Sequence, residues 1–319
     1  MTSRNISLIA VLALLASLPI KLQAQQLKAN ELGRIMILEY HLIEAPEARW
    51  ARTSANFRRD LERLYQDGYR LIGLNDYLDG KISAPAGTTP VILTFDDSSP
   101  GQFRMIERNG RWDVDPESAV GILEAFARGH PAFGVRATFY VLPGAKQPHK
   151  LFGQPEHEKA KLAYLVKRGF EIGNHTLWHA NLSKYPEDTV RKQIAQAQKW
   201  IQDLVPGYQL RTLALPMGAY PKELAWATQG TVNGTSYKNE AILMVAGGPA
   251  PSPFSRKLDL YRLPRIQAVE SDLTYWLRHF ARHPEDRFVS DGDPAVVTIP
   301  PGQRDQVRTP LPLGLRLSD

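Results

Sequence analysis

Apolar positions along this chain fall into two repeating patterns. Ile35–Tyr40, Val91–Phe95 and Val135–Leu142 are short runs rich in Ile, Val, Leu and aromatics, as in strands covered on both faces. Ser54–Asp67 instead places Phe57, Leu61 and Leu64 on one helical face, with Ser54 able to cap it and Gly68 to end it. The same reading predicts helices over Pro116–Arg128, Pro155–Arg168, Glu187–Leu204, Pro221–Thr228 and Ser271–Arg282. It predicts further strands over Tyr69–Leu74, Phe170–Gly173, Arg211–Leu215, Ala241–Val245, Tyr261–Ile266 and Ala295–Ile299. Alternation of strand and helix implies an α/β fold with a mainly parallel sheet. Polar clusters repeatedly follow strand ends, which favours a closed or nearly closed barrel, because barrel enzymes place their chemistry there. The polar stretch 98–115 directly after Asp96-Asp97 is long for a connection, and such loops tend to carry function.

Residues 1–24 differ in kind. Arg4 and Lys21 flank an apolar run, Ile6 to Ile20, followed by Leu22-Gln23-Ala24. This is the pattern of a secretory leader, and the run is shorter than the ~20 residues of a membrane span. The expectation is an exported protein, periplasmic or extracellular, whose single domain occupies 25–319 and which keeps no membrane span after cleavage. The chain has no cysteine, which excludes disulfides, a thiol nucleophile and thiolate metal ligands. A metal must then sit on His, Asp or Glu, a donor set that suits zinc and also accepts cobalt or nickel. The net charge of +6 comes from scattered Lys and Arg, with no basic stripe interleaved with aromatics, so nucleic acid is not an expected partner.

Three polar clusters carry candidate chemistry. Asp96-Asp97 ends an apolar strand, where two adjacent carboxylates are costly unless paired or bound to a cation. His175 and His179 are spaced by four, which on a helical turn puts both imidazoles on one face. Adding one Asp gives two imidazoles and a carboxylate with open positions, as in catalytic metal sites. Leu215-Pro216-Met217-Gly218-Ala219-Tyr220 follows a strand and precedes a predicted helix, where glycine admits close backbone approach and free N–H groups favour an anion.

Taken in order, these clusters resemble the polysaccharide deacetylases of the NodB-homology family. Thr94-Phe95-Asp96-Asp97 matches its Thr-Phe-Asp-Asp motif, and His175-Thr176-Leu177-Trp178-His179 its His-(Ser/Thr)-x-x-His motif. Leu215-Pro216-Met217-Gly218 is similar to its third motif. Glu39-Tyr40-His41-Leu42-Ile43 resembles the Tyr-His-x-Ile segment of members acting on β-linked N-acetylglucosamine polymers, and Tyr261–Ile266 a late Arg-x-x-Arg-Ile strand. The resemblance implies a distorted (β/α) barrel and a mononuclear divalent metal, usually zinc, on Asp97, His175 and His179. It implies Asp96 as general base and removal of N-acetyl, less often O-acetyl, groups from a saccharide. Oxyanion stabilisation falls to backbone N–H groups near Met217-Gly218, and sugar contacts to Trp178, Tyr220 and Trp112.

The chain departs from the family pattern in two places. The family's proton donor is a histidine in a late Leu-x-His strand, and the strand matched to it here, Ala295–Ile299, has none. His41 is the expected substitute, with a core role equally open. The arginine that braces the catalytic Asp is absent before Pro216, and Arg265 is expected to replace it. Two other classes compete: a noncatalytic carbohydrate-binding homologue, and a barrel glycosidase using two carboxylates without metal.

Overall fold

The computed structural model describes residues 27–312 and 314–319, and the leader expected over 1–24 lies outside them. No helix among the described residues is long and apolar enough to cross a membrane. An eight-stranded sheet organises the chain. Its strands are β1 (Met36–Tyr40), β2 (Tyr69–Leu71), β3 (Thr89–Phe95), β4 (Thr138–Val141), β5 (Glu171–Asn174), β6 (Thr212–Ala214), β7 (Ala241–Leu243) and β8 (Ile266–Gln267). They lie in the order β7-β6-β5-β4-β3-β1-β8, with β2 beside the first half of β3, and every pairing is parallel. A parallel bridge from Leu243 to Leu263 brings the far edge round to the segment that becomes β8, so the sheet curls into a distorted barrel.

Strand periodicity sorts the side chains. On β3, Val91, Leu93 and Phe95 join the core between sheet and helices, whereas Ile92 joins the core inside the barrel. On β1, Met36, Leu38 and Tyr40 face outward while Ile37 faces inward, as does Ile35 just before the strand. The outward layer is covered by α1 (Ser54–Gln66), α2 (Ala119–Gly129), α3 (Glu158–Lys167), α4 (Glu187–Leu204) and α5 (Glu270–Arg282). The cap of α1 is Thr53, whose hydroxyl accepts from Asn56 N–H at 3.2 Å; Ser54 instead binds the Glu117 carbonyl.

Several expected elements change on folding. The strand expected over Tyr69–Leu74 stops at Leu71, and Leu74 opens a short helix to Leu78. Pro264 lacks an N–H and interrupts Tyr261–Ile266, which becomes a 3-10 turn (Leu260–Arg262) followed by β8. The helix expected over Pro221–Thr228 shrinks to Ala225–Thr228 and is followed by an unanticipated hairpin, Gln229–Val232 with Thr235–Lys238. The stretch 98–115 holds a second hairpin, Met105–Arg108 with Arg111–Val114. Both hairpins turn on Asn-Gly with positive φ, the pair that two-residue turns favour. Ala295–Ile299 yields a strand at Val296–Thr298 that pairs with Arg316–Ser318 and stands outside the barrel sheet.

Candidate active site

Beyond Phe95 the chain leaves β3 through two successive left-handed residues, Asp97 (φ 73°) and Ser98 (φ 42°). That turn lets neighbouring carboxylates face one mouth, which an extended chain would forbid. It is fastened on both sides. Gln102 Nε2 donates to the Asp96 and His41 carbonyls at 2.5 and 2.6 Å. Ser98 Oγ donates to the His149 carbonyl at 2.7 Å and accepts from Leu142 N–H at 3.1 Å.

His175 leaves β5 in the same direction. The segment from His175 to His179 is a turn and not the helical turn expected from the spacing: Thr176 and His179 have φ of 67° and 66°. Asn174 Oδ1 accepts from Thr176 N–H, and Thr176 Oγ1 from Ala180 N–H, which sets the turn's shape. His175 Nδ1 lies 2.8 Å from the Ala214 carbonyl, so that nitrogen carries the proton and Nε2 keeps its lone pair. The two Nε2 atoms of His175 and His179 stand 3.2 and 3.3 Å from Asp97 Oδ1. Asp97 Oδ1 is buried and has no hydrogen-bond partner. A buried anionic oxygen facing two imidazole nitrogens fits a divalent cation.

Asp96 is built differently. Arg265, fully buried, donates to both of its oxygens at 2.8 and 2.7 Å. The same guanidinium binds Thr94 Oγ1 and the Met244 carbonyl, and lies 5.6 Å over the Tyr140 ring. Gly173 makes room for that ring: a Cβ there would stand 2.3 Å from it. Burial alone would raise the Asp96 carboxyl, but Arg265, with His175 and His41, holds it below its ordinary value. Burial likewise opposes ionisation of Asp97, and the adjacent His175 imidazole more than offsets it. His175 is penalised by burial yet raised by Asp96 and Asp97, whereas burial lowers His179 and His41.

Glu39 was not anticipated. Its signal was an acid within a strand whose five residues are all buried. It lies 3.2 Å from Arg265 and 3.5 Å from His41 Nε2, and neither of its oxygens has a hydrogen-bond partner. Glu39, His41 and Asp96 bring one donor atom each within 4.8 Å of the others, a second metal-like group. Arg265 already supplies that group's positive charge, so one cation, not two, suits the site.

The residues meet in a cavity of about 520 Å³ at the C-terminal mouth of the barrel. Asp96, Asp97, His175, His179, His41 and Met217 all line it. Trp178, Pro216, Gly218 and Tyr220 do not; Trp178 is 48% exposed, and Tyr220 hydroxyl donates to the Tyr261 carbonyl. Trp112 sits on the Met105–Val114 hairpin with its ring 4.2 Å from that of His157. Trp50 and His149, which sequence reasoning missed, also line it, as does Arg49, and the Trp50 ring lies 4.6 Å from that of His41. A larger open hollow of about 740 Å³ along α5 contains none of the Asp96, Asp97 and His175 group.

Residues 83–231 match the family model described as polysaccharide deacetylase. A peptidoglycan-N-acetylglucosamine deacetylase of Bacillus cereus is 30% identical over 152 residues, 46% of this chain and 43% of that protein, so the match spans less than half of the relative's length. Streptococcus pyogenes deacetylase PplD in complex with acetate superposes with a TM-score of 0.58 at 18% identity, covering 77% of this chain and 97% of that one. A polysaccharide deacetylase from Bacillus cereus gives 0.57 at 16% identity, covering 76% and 68%. These two structural likenesses establish the curled parallel barrel, and within it residues 83–231 resemble the polysaccharide deacetylase family.

Proposed function

We propose that this chain is an exported, metal-dependent hydrolase that removes N-acetyl groups from an N-acetylglucosamine-containing polysaccharide. The observation that carries the reading is the division of labour between adjacent carboxylates. Asp97 Oδ1 faces two imidazoles and lacks any hydrogen bond, while Asp96 is clamped by Arg265 and kept ionised. Asp97, His175 and His179 would hold the cation, zinc first, with cobalt or nickel acceptable to the same donors. When bound, that ion polarises the acetyl carbonyl and makes water more acidic. Asp96 takes a proton from the attacking water, and Arg265 keeps its carboxylate aimed and charged. The backbone N–H of Met217, on the rim where Met217 is left-handed (φ 58°), would serve the developing oxyanion, whereas that of Gly218 donates to the Leu215 carbonyl. His41, which also lines the cavity, protonates the departing amine, which cannot leave as an anion at neutral pH. Trp178 and Tyr220, outside the cavity wall, would contact flanking sugars of a polymer.

The family relatives favour a cell-wall or exopolysaccharide substrate, in keeping with the leader-like N-terminus. Acetate release from N-acetylglucosamine oligomers by the purified, metal-loaded protein tests the reading, with Asp96→Asn as control. Release that disappears in the control supports it. Stoichiometric metal without release refutes N-deacetylation, and the same assay on O-acetylated polysaccharide then separates an esterase from a noncatalytic binder.

A further inference from the structure

Hydrolysis occupies the acids and imidazoles of the cavity and leaves its one guanidinium idle. Arg49 is the only lysine or arginine among the lining residues. Its place is set by the connection between β1 and α1, which folds back on itself. Leu42–Ile43 pairs with Ala51–Arg52, and the Trp50 carbonyl accepts from Leu42 N–H at 2.9 Å. Ala48 and Ala51 exchange backbone bonds at 3.0 and 3.2 Å, which closes a tight turn around Arg49 and Trp50. Behind the turn, buried Arg52 donates to Asp60 on α1 and Glu270 on α5. Arg49 and Trp50 are therefore held at the rim by a fastened backbone.

The Arg49 guanidinium lies 4.9 Å over the Trp50 indole, whose ring also meets that of His41 at 4.6 Å. Stacking uses the face of a guanidinium and leaves its N–H edge free. Glu47, two residues away, is committed to Arg52, Thr53 and Asn56, and among the described residues no ion pair or hydrogen bond holds the Arg49 side chain. The acids of the cavity do not call on this charge either. Asp96 and Glu39 share Arg265, and Asp97 faces His175 and His179. A planar guanidinium with a free edge matches a carboxylate, which accepts two parallel N–H bonds. On a saccharide that group belongs to a uronate or a lactyl ether. A cavity of about 520 Å³ leaves room beside the acetylated ring for part of the next unit.

We propose that Arg49, laid on Trp50, is a specificity-determining residue that binds a carboxylate on the unit next to the N-acetylated sugar, so that the favoured polymer is acidic. This deepens the N-deacetylase reading and rests on it for the reaction, though not for the binding.

Oligosaccharides alternating N-acetylglucosamine with glucuronate are compared with the same oligomers after reduction of each carboxyl to a primary alcohol, which keeps linkage and length. The metal-loaded wild type is expected to show kcat/KM about tenfold higher on the acidic form, chiefly through KM, and Arg49→Gln to bring that ratio to about one. Oligomers alternating N-acetylglucosamine with its 3-O-lactyl ether, against their carboxyl-reduced form, distinguish the source of the carboxylate: the series with the larger ratio carries the acid that Arg49 reads. Equal kcat/KM on acidic and reduced forms in both series overturns the proposal and leaves N-deacetylation standing. A preference that Arg49→Gln does not alter overturns it as well. Titration calorimetry of the Asp96→Asn protein, with and without Arg49→Gln, reads binding apart from turnover. Binding about tenfold tighter for the acidic form, lost with Arg49→Gln, supports the subsite even where the wild type releases no acetate, an outcome that refutes the deacetylase reading alone. The comparison of acidic with reduced oligomer on the wild type needs no variant, so it decides the matter should Arg49→Gln fail to fold.

Discussion

Two buried arginines clamp an aspartate in this fold, and the contrast between them separates architecture from chemistry. Arg52, behind α1, donates to both oxygens of Asp60, and also to Glu47 and Glu270; Tyr40 adds a hydrogen bond to Asp60. Glu47 in turn accepts from Thr53 N–H and Asn56. None of these carboxylates is left with a buried oxygen lacking a partner. Arg265 makes the same fork on Asp96, yet beside it both oxygens of Glu39 and one of Asp97 go without hydrogen bonds. A satisfied network fastens elements together. An unsatisfied one, at the mouth of a barrel, keeps capacity for something that is not part of the chain.

The comparison can be broken by substitution, since the two clamps should fail differently. The largest effect belongs to Asp96→Asn, expected to lower acetate release about 10²–10⁴-fold with metal content nearly unchanged and a lowered melting temperature, since buried Arg265 loses its paired carboxylate. Release within a few-fold of wild type would remove Asp96 from the base role. Arg265→Ala should lower kcat by a similar order and also destabilise the protein by about 3–5 kcal/mol, because Asp96 and Glu39 are left buried beside each other without a cation. Unchanged activity would dismiss Arg265 as the brace. Arg52→Ala should cost a comparable amount in denaturant melts, while the folded fraction keeps kcat within a few-fold of wild type. A kcat loss as deep as that of Arg265→Ala would erase the distinction.

A smaller effect shows that a buried acid is felt through pH even where it accepts backbone hydrogen bonds. Glu31, buried near Asp291 and Asp293, is pushed up to about 8, chiefly by burial. The folded state therefore binds a proton that the unfolded state has released between about pH 4.5 and 8. Stability from this group is complete below pH 4.5 and is lost as pH rises through 8. Glu31→Gln, which keeps an acceptor for Thr298 N–H, should remove that decline and be the more stable protein at pH 8 by the order of 3 kcal/mol. Parallel stability curves for the two proteins across that range would refute the assignment.

Much of this was legible in the sequence because local pattern and tertiary role coincide. β1, β3, α1 and α4 were readable from runs and stripes, since both faces of those strands and one face of those helices are buried. The acidic pair and the two histidines were readable because their spacing is tied to strand ends. Pairing partners were not readable. Nothing in Ala295–Ile299 distinguishes a barrel strand from one that joins Arg316–Ser318. The His175–His179 spacing fits a helical turn and a left-handed turn alike, and only the Asn174 and Thr176 side-chain bonds decide between them. Glu39 was hidden by position: an acid next to a tyrosine looks like a strand end until the inward face of β1 is known. Trp50 and His149 reach the cavity from connections whose course follows from no periodicity. The two hairpins, by contrast, carried an Asn-Gly signal that could have been used.

The backbone at the mouth has one further consequence. Asp97, Thr176, His179 and Met217 all occupy left-handed conformations that side chains disfavour, by roughly 1–2 kcal/mol each. The parallel sheet beneath keeps them there. On warming, these rim turns are the places where relaxation to ordinary backbone gains most and disrupts fewest sheet hydrogen bonds. Catalytic competence should therefore fade several degrees before the barrel melts, and it should return on cooling, as a rim that re-forms on an intact scaffold does.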